Sequence, residues 1–186
     1  MSPMEPLRVA VTGGPGAGKT TVLTALASRG FTVMEESARS IIADRLYRGL
    51  DPRPEPEAFA EEILAADLLK YEQSAAASGI VFFDRSLIDA MGMLAELGRL
   101  TDERRDSLLR KYPFHESTLV FPPWQEIYRT DSERDQTFEE AARVFESVSG
   151  WYGRCGYSLH EIAPGTVEER IRLVLSAVEG SPPPAI

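Results

Sequence analysis

The sequence predicts an α/β fold of three layers, α/β/α, with helices on both faces of a five-stranded parallel sheet. Short apolar runs alternate with helical patterns along the 186-residue chain. The run "IVFFD" at residues 80–84 is apolar up to its last residue, which is typical of a central parallel strand buried on both faces. The first strand leads through a glycine-rich turn directly into a helix. In such folds, ligands bind at the carboxyl ends of the strands.

Each predicted element begins and ends at a recognisable signal. Gly30 and Gly79 follow helical patterns as expected of C-terminal caps, and Thr101 precedes one as an N-cap. "GLDPRPEPE" carries three prolines within residues 52–56 and predicts a loop. The predicted strands are residues 7–13, 31–35, 80–84, 117–121 and 157–162. The predicted helices are residues 19–29, 37–48, 57–78, 87–97, 101–111, 137–155 and 166–178.

Composition limits the classes of function. The net charge of −9 disfavours nucleic acid and anionic membranes as partners. A single cysteine, Cys155, excludes an internal disulfide, and two histidines give little support to a zinc site. No apolar run approaches the ~20 residues of a membrane span, and no signal peptide is recognised. We therefore expect a cytoplasmic protein, a monomer or homodimer, with one domain over residues 1–180 and a disordered tail at 181–186.

The turn after the first strand matches the phosphate-binding pattern G-x-x-x-x-G-K-[ST] without a gap. Its glycines allow backbone N–H groups to surround an anion, which a Cβ atom would obstruct. Lys19 is expected to reach the β- and γ-phosphates, and the Thr20 hydroxyl to bind Mg²⁺. The predicted cofactors are ATP and Mg²⁺. The residues expected to bind them are Gly13, Gly14, Gly16, Ala17, Gly18, Lys19, Thr20 and Thr21.

Three carboxylates stand at the carboxyl ends of predicted strands and so belong to the same edge of the sheet. Asp84 closes the third strand, where a carboxylate associated with Mg²⁺ is expected, although Asp84 or Ser86 also suits the cap of the next helix. Glu35 and Glu36 end the second strand. One of them, with Glu36 favoured, is expected to act as a general base on an acceptor hydroxyl. Alternatively, both stabilise the N-terminus of the following helix through its dipole.

Arginines supply the remaining candidates. Arg85 follows Asp84 and is expected to hold substrate or phosphate, whereas Arg39 is typical of an exposed helix face. Arg129 and Arg134 lie in "YRTDSERDQ", within a predicted lid of about residues 122–137. Arginines on a closing loop stabilise the charge of a phosphoryl group in transfer. The acidic residues beside them are equally typical of a solvated surface.

Five segments carry a family resemblance: "TGGPGAGKTT", "EES", "FFDRSLID", "FPPWQEIYRTDSERDQ" and "GTVEERIRLVL". Together they resemble the predicted P-loop ATPases related to ribosylnicotinamide kinase domains, near the nucleoside and nucleotide kinases. The resemblance implies the P-loop NTPase fold with strand order 2-3-1-4-5. It also implies the glutamate that closes strand two, Glu35 or Glu36, as base. Asp84 and Arg85 would be a pair contacting substrate, and Arg129 and Arg134 would be lid arginines. "APGTV" would then cradle adenine.

The expected function is an ATP- and Mg²⁺-dependent phosphotransferase, a kinase whose acceptor is a small, nucleoside-like molecule held against helices of residues 37–78. Two alternatives remain open. A nucleoside monophosphate kinase would use Arg39, Arg45 and Arg85 for the acceptor phosphate, and a regulatory ATPase would need no acceptor. The sequence shows neither the N-K-x-D motif of regulatory GTPases nor the arginine-finger set of oligomeric AAA motors.

Overall fold

The structure, a computed structural model, describes residues 5–127 and 137–179. Arg129 and Arg134 lie outside these ranges, as do most of the predicted lid and the predicted tail of residues 181–186. Their roles therefore stay predictions.

Five strands form one sheet in the order β2-β3-β1-β4-β5, and every pairing is parallel. They are β1 (Leu7–Gly13), β2 (Thr32–Met34), β3 (Ile80–Asp84), β4 (Ser117–Phe121) and β5 (Ser158–Glu161). The predicted fold class and strand order are confirmed. β2 stops before Glu35 because its register with β3 ends at the pair Met34 and Phe83.

Seven α-helices connect and cover the strands in the described part of the chain. They are α1 (Lys19–Ser28), α2 (Ser37–Tyr47), α3 (Pro56–Gln73), α4 (Leu87–Glu96), α5 (Asp102–Lys111), α6 (Phe138–Arg154) and α7 (Val167–Glu179). The prediction that α3 continues to residue 78 is wrong, since a 3₁₀ turn, Ser74–Ala76, follows it. The Ser74 hydroxyl donates to the Tyr71 carbonyl and accepts from Arg8 of β1, which holds this tighter turn.

None of the helices in residues 5–127 and 137–179 combines the length and apolar character needed to cross a bilayer.

Two apolar clusters fill the space between the sheet and its helices. Because successive side chains of a strand point to opposite faces, Val9 and Val11 pack towards α1 and α7, while Ala10 packs towards α3, α4 and α6. Phe82 and Phe83 of β3 divide in the same way. The central strands are thus buried on both faces, which fixes the loops at their carboxyl ends between the two helical layers.

Candidate active site

The phosphate-binding loop joins β1 to α1 and is held tightly against β4. Gly13 and Gly18 have φ values of 134° and 75°, a region that residues with a Cβ rarely adopt. A Cβ on Gly13 would lie 2.2 Å from the Phe121 carbonyl oxygen. Lys19 begins α1, and its buried Nζ donates to the Gly14 carbonyl at 3.0 Å. Gly13 and Gly18 therefore stand at positions of the loop that a residue with a Cβ would strain or block.

Lys19 lies among several charges. Burial and, after it, the positive charge of Arg85 lower the pKa of Lys19 to about 8. The carboxylates of Asp84, Glu36 and Asp89 act in the opposite direction. At neutral pH the ammonium remains protonated, so a cation faces the loop where phosphate oxygens are expected.

Arg85 joins three parts of the site. It follows β3 with a φ of 65°, the only positive φ among the described non-glycine residues. Its Nε donates to Glu36 Oε1 at 3.1 Å, its Nη1 to Asp89 Oδ1 at 3.2 Å and its Nη2 to the Gly13 carbonyl at 3.2 Å. These three contacts hold a strained backbone conformation, which fixes the guanidinium beside the phosphate loop.

Asp89, which sequence reasoning missed, holds Arg85 in place. Its carboxylate is 8% exposed and accepts from Arg85, from Thr12 Oγ1 at 2.5 Å and from Tyr152 OH at 2.6 Å. It also accepts from the Ser86 N–H at 2.9 Å, which completes a capping box at the start of α4. The spacing Ser86-x-x-Asp89 signals that cap in the sequence, and the cap is Ser86 rather than Asp84. Nothing local in the sequence signals the bonds to Thr12 and Tyr152.

Asp84 presents an unsatisfied oxygen at the end of β3. Its side chain is buried, and Oδ1 has no hydrogen-bond partner within the described residues. Burial raises the pKa of Asp84, Glu36 adds to this effect, and Lys19 opposes it. A buried carboxylate oxygen without a donor suits a divalent cation. In the described ranges no three His, Cys, Asp or Glu side chains cluster as a metal site, so such an ion would depend on Asp84, Thr20 and oxygens of a bound phosphate.

Glu36 and Glu35 occupy different environments. Glu36 lines the cleft and forms ion pairs of 3.1 Å with both Arg85 and Arg39. Burial favours a higher pKa for Glu36, but the charges of Arg85, Lys19 and Arg39 outweigh it and the net shift is downward. Glu35 is exposed and lies outside the cleft lining, and its backbone carbonyl accepts from Lys70. Arg39 is exposed as predicted, yet it also borders the site.

A buried polar pair anchors the helix that carries Glu36 at its N-cap. Ser37, the first residue of α2, donates its hydroxyl hydrogen to Asp67 of α3, and both side chains are buried. Burial raises the pKa of Asp67 to about 7, although the bond from Ser37 lowers it. This pair was not predicted, because in the sequence Asp67 is one acidic residue within a predicted helix and belongs to no motif.

A cleft of about 1700 Å³ extends along this edge of the sheet. The phosphate loop, Glu36 and Arg85 lie along it. One part is lined by α2, α3 and the loop between them: Arg39, Ile42, Leu46, Arg53 and Phe59. Another part is lined by residues after β4 and β5: Trp124, Ile127, Gly165, Thr166, Val167 and Arg170.

The fold is similar to that of several known protein structures, of which three are described here. A deoxyadenosine kinase from M. mycoides is 13% identical over 94% of this chain and 100% of its own, with a TM-score of 0.66. The NadR protein, solved in complex with NR, is 22% identical over 94% of this chain and 52% of its own, with a TM-score of 0.67. This chain therefore spans about half the length of NadR. A thymidylate kinase from Candida albicans is 12% identical over 95% of this chain and 92% of its own, with a TM-score of 0.55.

Sequence comparison identifies the family. No curated protein matches the chain significantly. A family described as an AAA domain matches residues 8–170, from β1 into α7, and so includes the phosphate loop and both parts of the cleft. The chain belongs to this family of AAA domains and has the fold of the P-loop nucleoside and nucleotide kinases.

Proposed function

We propose that the protein is a kinase that transfers the γ-phosphoryl group of ATP to a hydroxyl of a small, nucleoside-like acceptor. The observation that carries the proposal is the position of Glu36 and Arg85 beside Lys19 in one cleft. That cleft continues from the phosphate loop along α2 and α3, which gives a second substrate room beside the γ-phosphate. A protein that only hydrolyses ATP has no need of such a cavity.

Each site residue has a defined task in this reaction. Glu36, ionised at neutral pH, would accept a hydrogen bond from the acceptor hydroxyl and orient its oxygen towards the γ-phosphorus. The new O–P bond forms as the bond between the γ-phosphorus and the β–γ bridging oxygen breaks, ADP leaves, and the hydroxyl proton passes to Glu36. Lys19 and Arg85 would stabilise the negative charge on the transferring group. Arg129 and Arg134 are proposed to add to this stabilisation from a lid.

Thr20 and Asp84 are the residues proposed to hold Mg²⁺. Thr20 lines the cleft at the start of α1, and the unsatisfied Oδ1 of Asp84 fits a site completed by phosphate oxygens. When bound, the ion would neutralise charge on the β- and γ-phosphates.

The similar structures support a nucleoside-like acceptor, since one is a deoxyadenosine kinase and another, NadR, was solved with NR. A second candidate is a nucleoside monophosphate acceptor, which Arg39 and Arg53 in the cleft lining favour. The likeness to a thymidylate kinase is consistent with it. Arg45 does not serve this candidate, because it is not among the residues that line the cleft; its Nε donates to the Asp51 carbonyl at 2.6 Å and its Nη1 contacts Glu62 at 3.2 Å.

The test is ADP release from ATP and Mg²⁺ in the presence of nucleosides, nucleoside monophosphates, sugars and amino alcohols. We expect one of the first two classes to stimulate release. Lys19→Ala and Asp84→Asn should abolish the stimulation. Lys111→Ala is the control, because it replaces an exposed lysine at the end of α5, and it should leave the stimulation intact. ADP release that no acceptor changes would refute the proposal and favour a regulatory ATPase.

A further inference from the structure

Arg85 has two carboxylate partners, and the proposed reaction removes the charge of one of them. Its Nε lies 3.1 Å from Glu36 Oε1, and its Nη1 lies 3.2 Å from Asp89 Oδ1. Glu36 loses its negative charge when it takes up the proton of the acceptor hydroxyl, which weakens its attraction for the guanidinium during the transfer. Asp89 lies outside the cleft lining and takes no part in that proton transfer. Asp89 is therefore the partner that can hold Arg85 throughout the reaction.

Asp89 is itself fixed by donors on both of its oxygens. Oδ1 accepts from Thr12 Oγ1 at 2.5 Å as well as from Arg85. Oδ2 accepts from the Ser86 N–H at 2.9 Å and from Tyr152 OH at 2.6 Å. A carboxylate accepts at both oxygens, whereas the amide of an asparagine would turn an N–H₂ group towards two of these four donors. The arrangement therefore calls for a carboxylate at this position.

Tyr152 brings one of these donors from α6, an element that supplies no residue to the described cleft lining. Its side chain is fully buried, and its hydroxyl also pairs with Ser86 Oγ at 2.8 Å. Burial and, after it, the charge of Asp89 raise the pKa of Tyr152 well above its ordinary value, so the hydroxyl remains a donor. A phenylalanine ring would fill the same space, so the hydroxyl itself is what acts on the Asp89 carboxylate.

Arg85 keeps donors for a substrate while it is held in this way. An arginine carries five N–H groups, and three of them bond to Glu36, Asp89 and the Gly13 carbonyl. Within the described residues this leaves two, one on each terminal nitrogen, and the side chain lines the cleft. N–H groups on both terminal nitrogens suit two oxygens of one phosphoryl group. Their direction depends on how the guanidinium is held, which involves Asp89 at Nη1.

We propose that Asp89 and Tyr152 are positioning residues for the phosphoryl transfer. Tyr152 fixes the Asp89 carboxylate, and Asp89 keeps the Arg85 guanidinium directed at the transferring group while Glu36 carries the acceptor proton. The inference rests on the proposed function for the reaction in which Arg85 acts. The holding of Arg85 by the other two residues can be tested without any acceptor.

The first test follows the guanidinium N–H signals of Arg85 by NMR in protein labelled with ¹⁵N-arginine, without a ligand. Arg85→Met identifies these signals by their loss. We expect Tyr152→Phe, which keeps the ring and removes the hydroxyl, to speed hydrogen exchange at Arg85 about tenfold. Tyr157→Phe is the matched control, because the two tyrosine rings pack with centroids 5.8 Å apart, but the Tyr157 hydroxyl bonds to the Phe114 backbone. It should leave the exchange at Arg85 unchanged.

Two results of this test would overturn the inference. One is an exchange rate at Arg85 that Tyr152→Phe leaves unchanged. The other is an equal increase at Arg8, whose side chain is buried and hydrogen-bonded elsewhere, since this would indicate a general loosening of the fold. Thr12→Val covers the case in which Tyr152→Phe does not fold, because it removes another donor to Asp89 and should also speed the exchange at Arg85. An unchanged rate in Thr12→Val would then contradict the inference.

The second test measures kcat for ADP release with an acceptor that stimulates it. We expect Tyr152→Phe to lower kcat about tenfold and to leave the KM for ATP within about twofold, because the lost interaction matters for the transferring group. In an Arg85→Met background the same change should have no further effect, since both changes act through one guanidinium.

An unchanged kcat in Tyr152→Phe, or a tenfold drop that persists in the Arg85→Met background, would overturn the inference. Failure of the proposed function looks different. In that case no acceptor increases ADP release, while hydrogen exchange at Arg85 still responds to Tyr152→Phe.

Discussion

Asp67 offers a test of the buried pair that anchors α2. The pKa of Asp67 is raised to about 7 from an ordinary value of 3.8, chiefly by burial. Between these two pH values the folded protein keeps a proton that the unfolded chain has lost. The free energy of unfolding therefore falls as the pH rises from about 4 to about 7. Above pH 7 the ionisation of Asp67 no longer changes it.

The size of the effect follows from the shift. A difference of about 3 pKa units corresponds to about 4 kcal/mol at 1.36 kcal/mol per unit, of which roughly 2 to 3 kcal/mol falls between pH 5 and pH 7.5. Asp67→Asn keeps the shape of the side chain and an oxygen that can accept from Ser37, but it does not titrate. We expect it to remove this slope and to be more stable than wild type at pH 7.5.

Urea unfolding from pH 5 to pH 7.5 measures the slope for wild type and variant. Asp44→Asn is a suitable control, because Asp44 is an exposed residue of α2 paired with Arg48, and it should keep the wild-type slope. A variant Asp67→Asn with the full wild-type slope would refute the reasoning. So would an equal loss of stability at both ends of the range, which would mean that Asp67 is ionised in the folded protein throughout.

Two further predictions concern Glu36, the proposed catalytic base, and the phosphate loop. Glu36→Gln should lower kcat about 100-fold in the ADP-release assay, while Glu35→Gln should leave kcat near the wild-type value. A low kcat for Glu35→Gln together with a wild-type kcat for Glu36→Gln would show that Glu35 is the base instead. Gly13→Ala should lower the free energy of unfolding by about 4 kcal/mol or more, because the new Cβ would overlap the Phe121 carbonyl. Gly30→Ala, at a φ of 91° with nothing within 4 Å, should cost only about 1 kcal/mol, and similar losses in both variants would contradict a steric cause.

The elements most accurately predicted from the sequence are those whose limits are set by local chemistry. β3 ends where four apolar residues meet Asp84, and α1 begins where the glycines of the loop meet Lys19. The end of α3 was not predictable in the same way. The 3₁₀ turn that ends it depends on a hydrogen bond from Arg8, which lies on β1 and is distant in sequence.

The site was predictable in its location but not in its internal contacts. Parallel strands bring Glu36 and Asp84 to one edge, whatever the side chains around them. Which of Glu36 and Glu35 faces the cleft depends on the contact with Arg85. No sequence pattern predicts the left-handed backbone conformation of Arg85. Arg170 has the sequence setting of a solvated helix residue, and its burial comes from rings on a different element, Phe121 and Trp124.

β2 has a consequence for how this protein could diversify. It is a strand of three residues at the edge of the sheet, paired only with β3, and the segment from β2 through α3 supplies Glu36 and the proposed acceptor wall. The phosphate loop, by contrast, is built on β1, which has a neighbour on each side. If the proposed function holds, insertions or exchanges between β2 and α3 would therefore alter acceptor choice with little disturbance of the phosphate loop. Engineering of new acceptor specificity should begin in this peripheral segment.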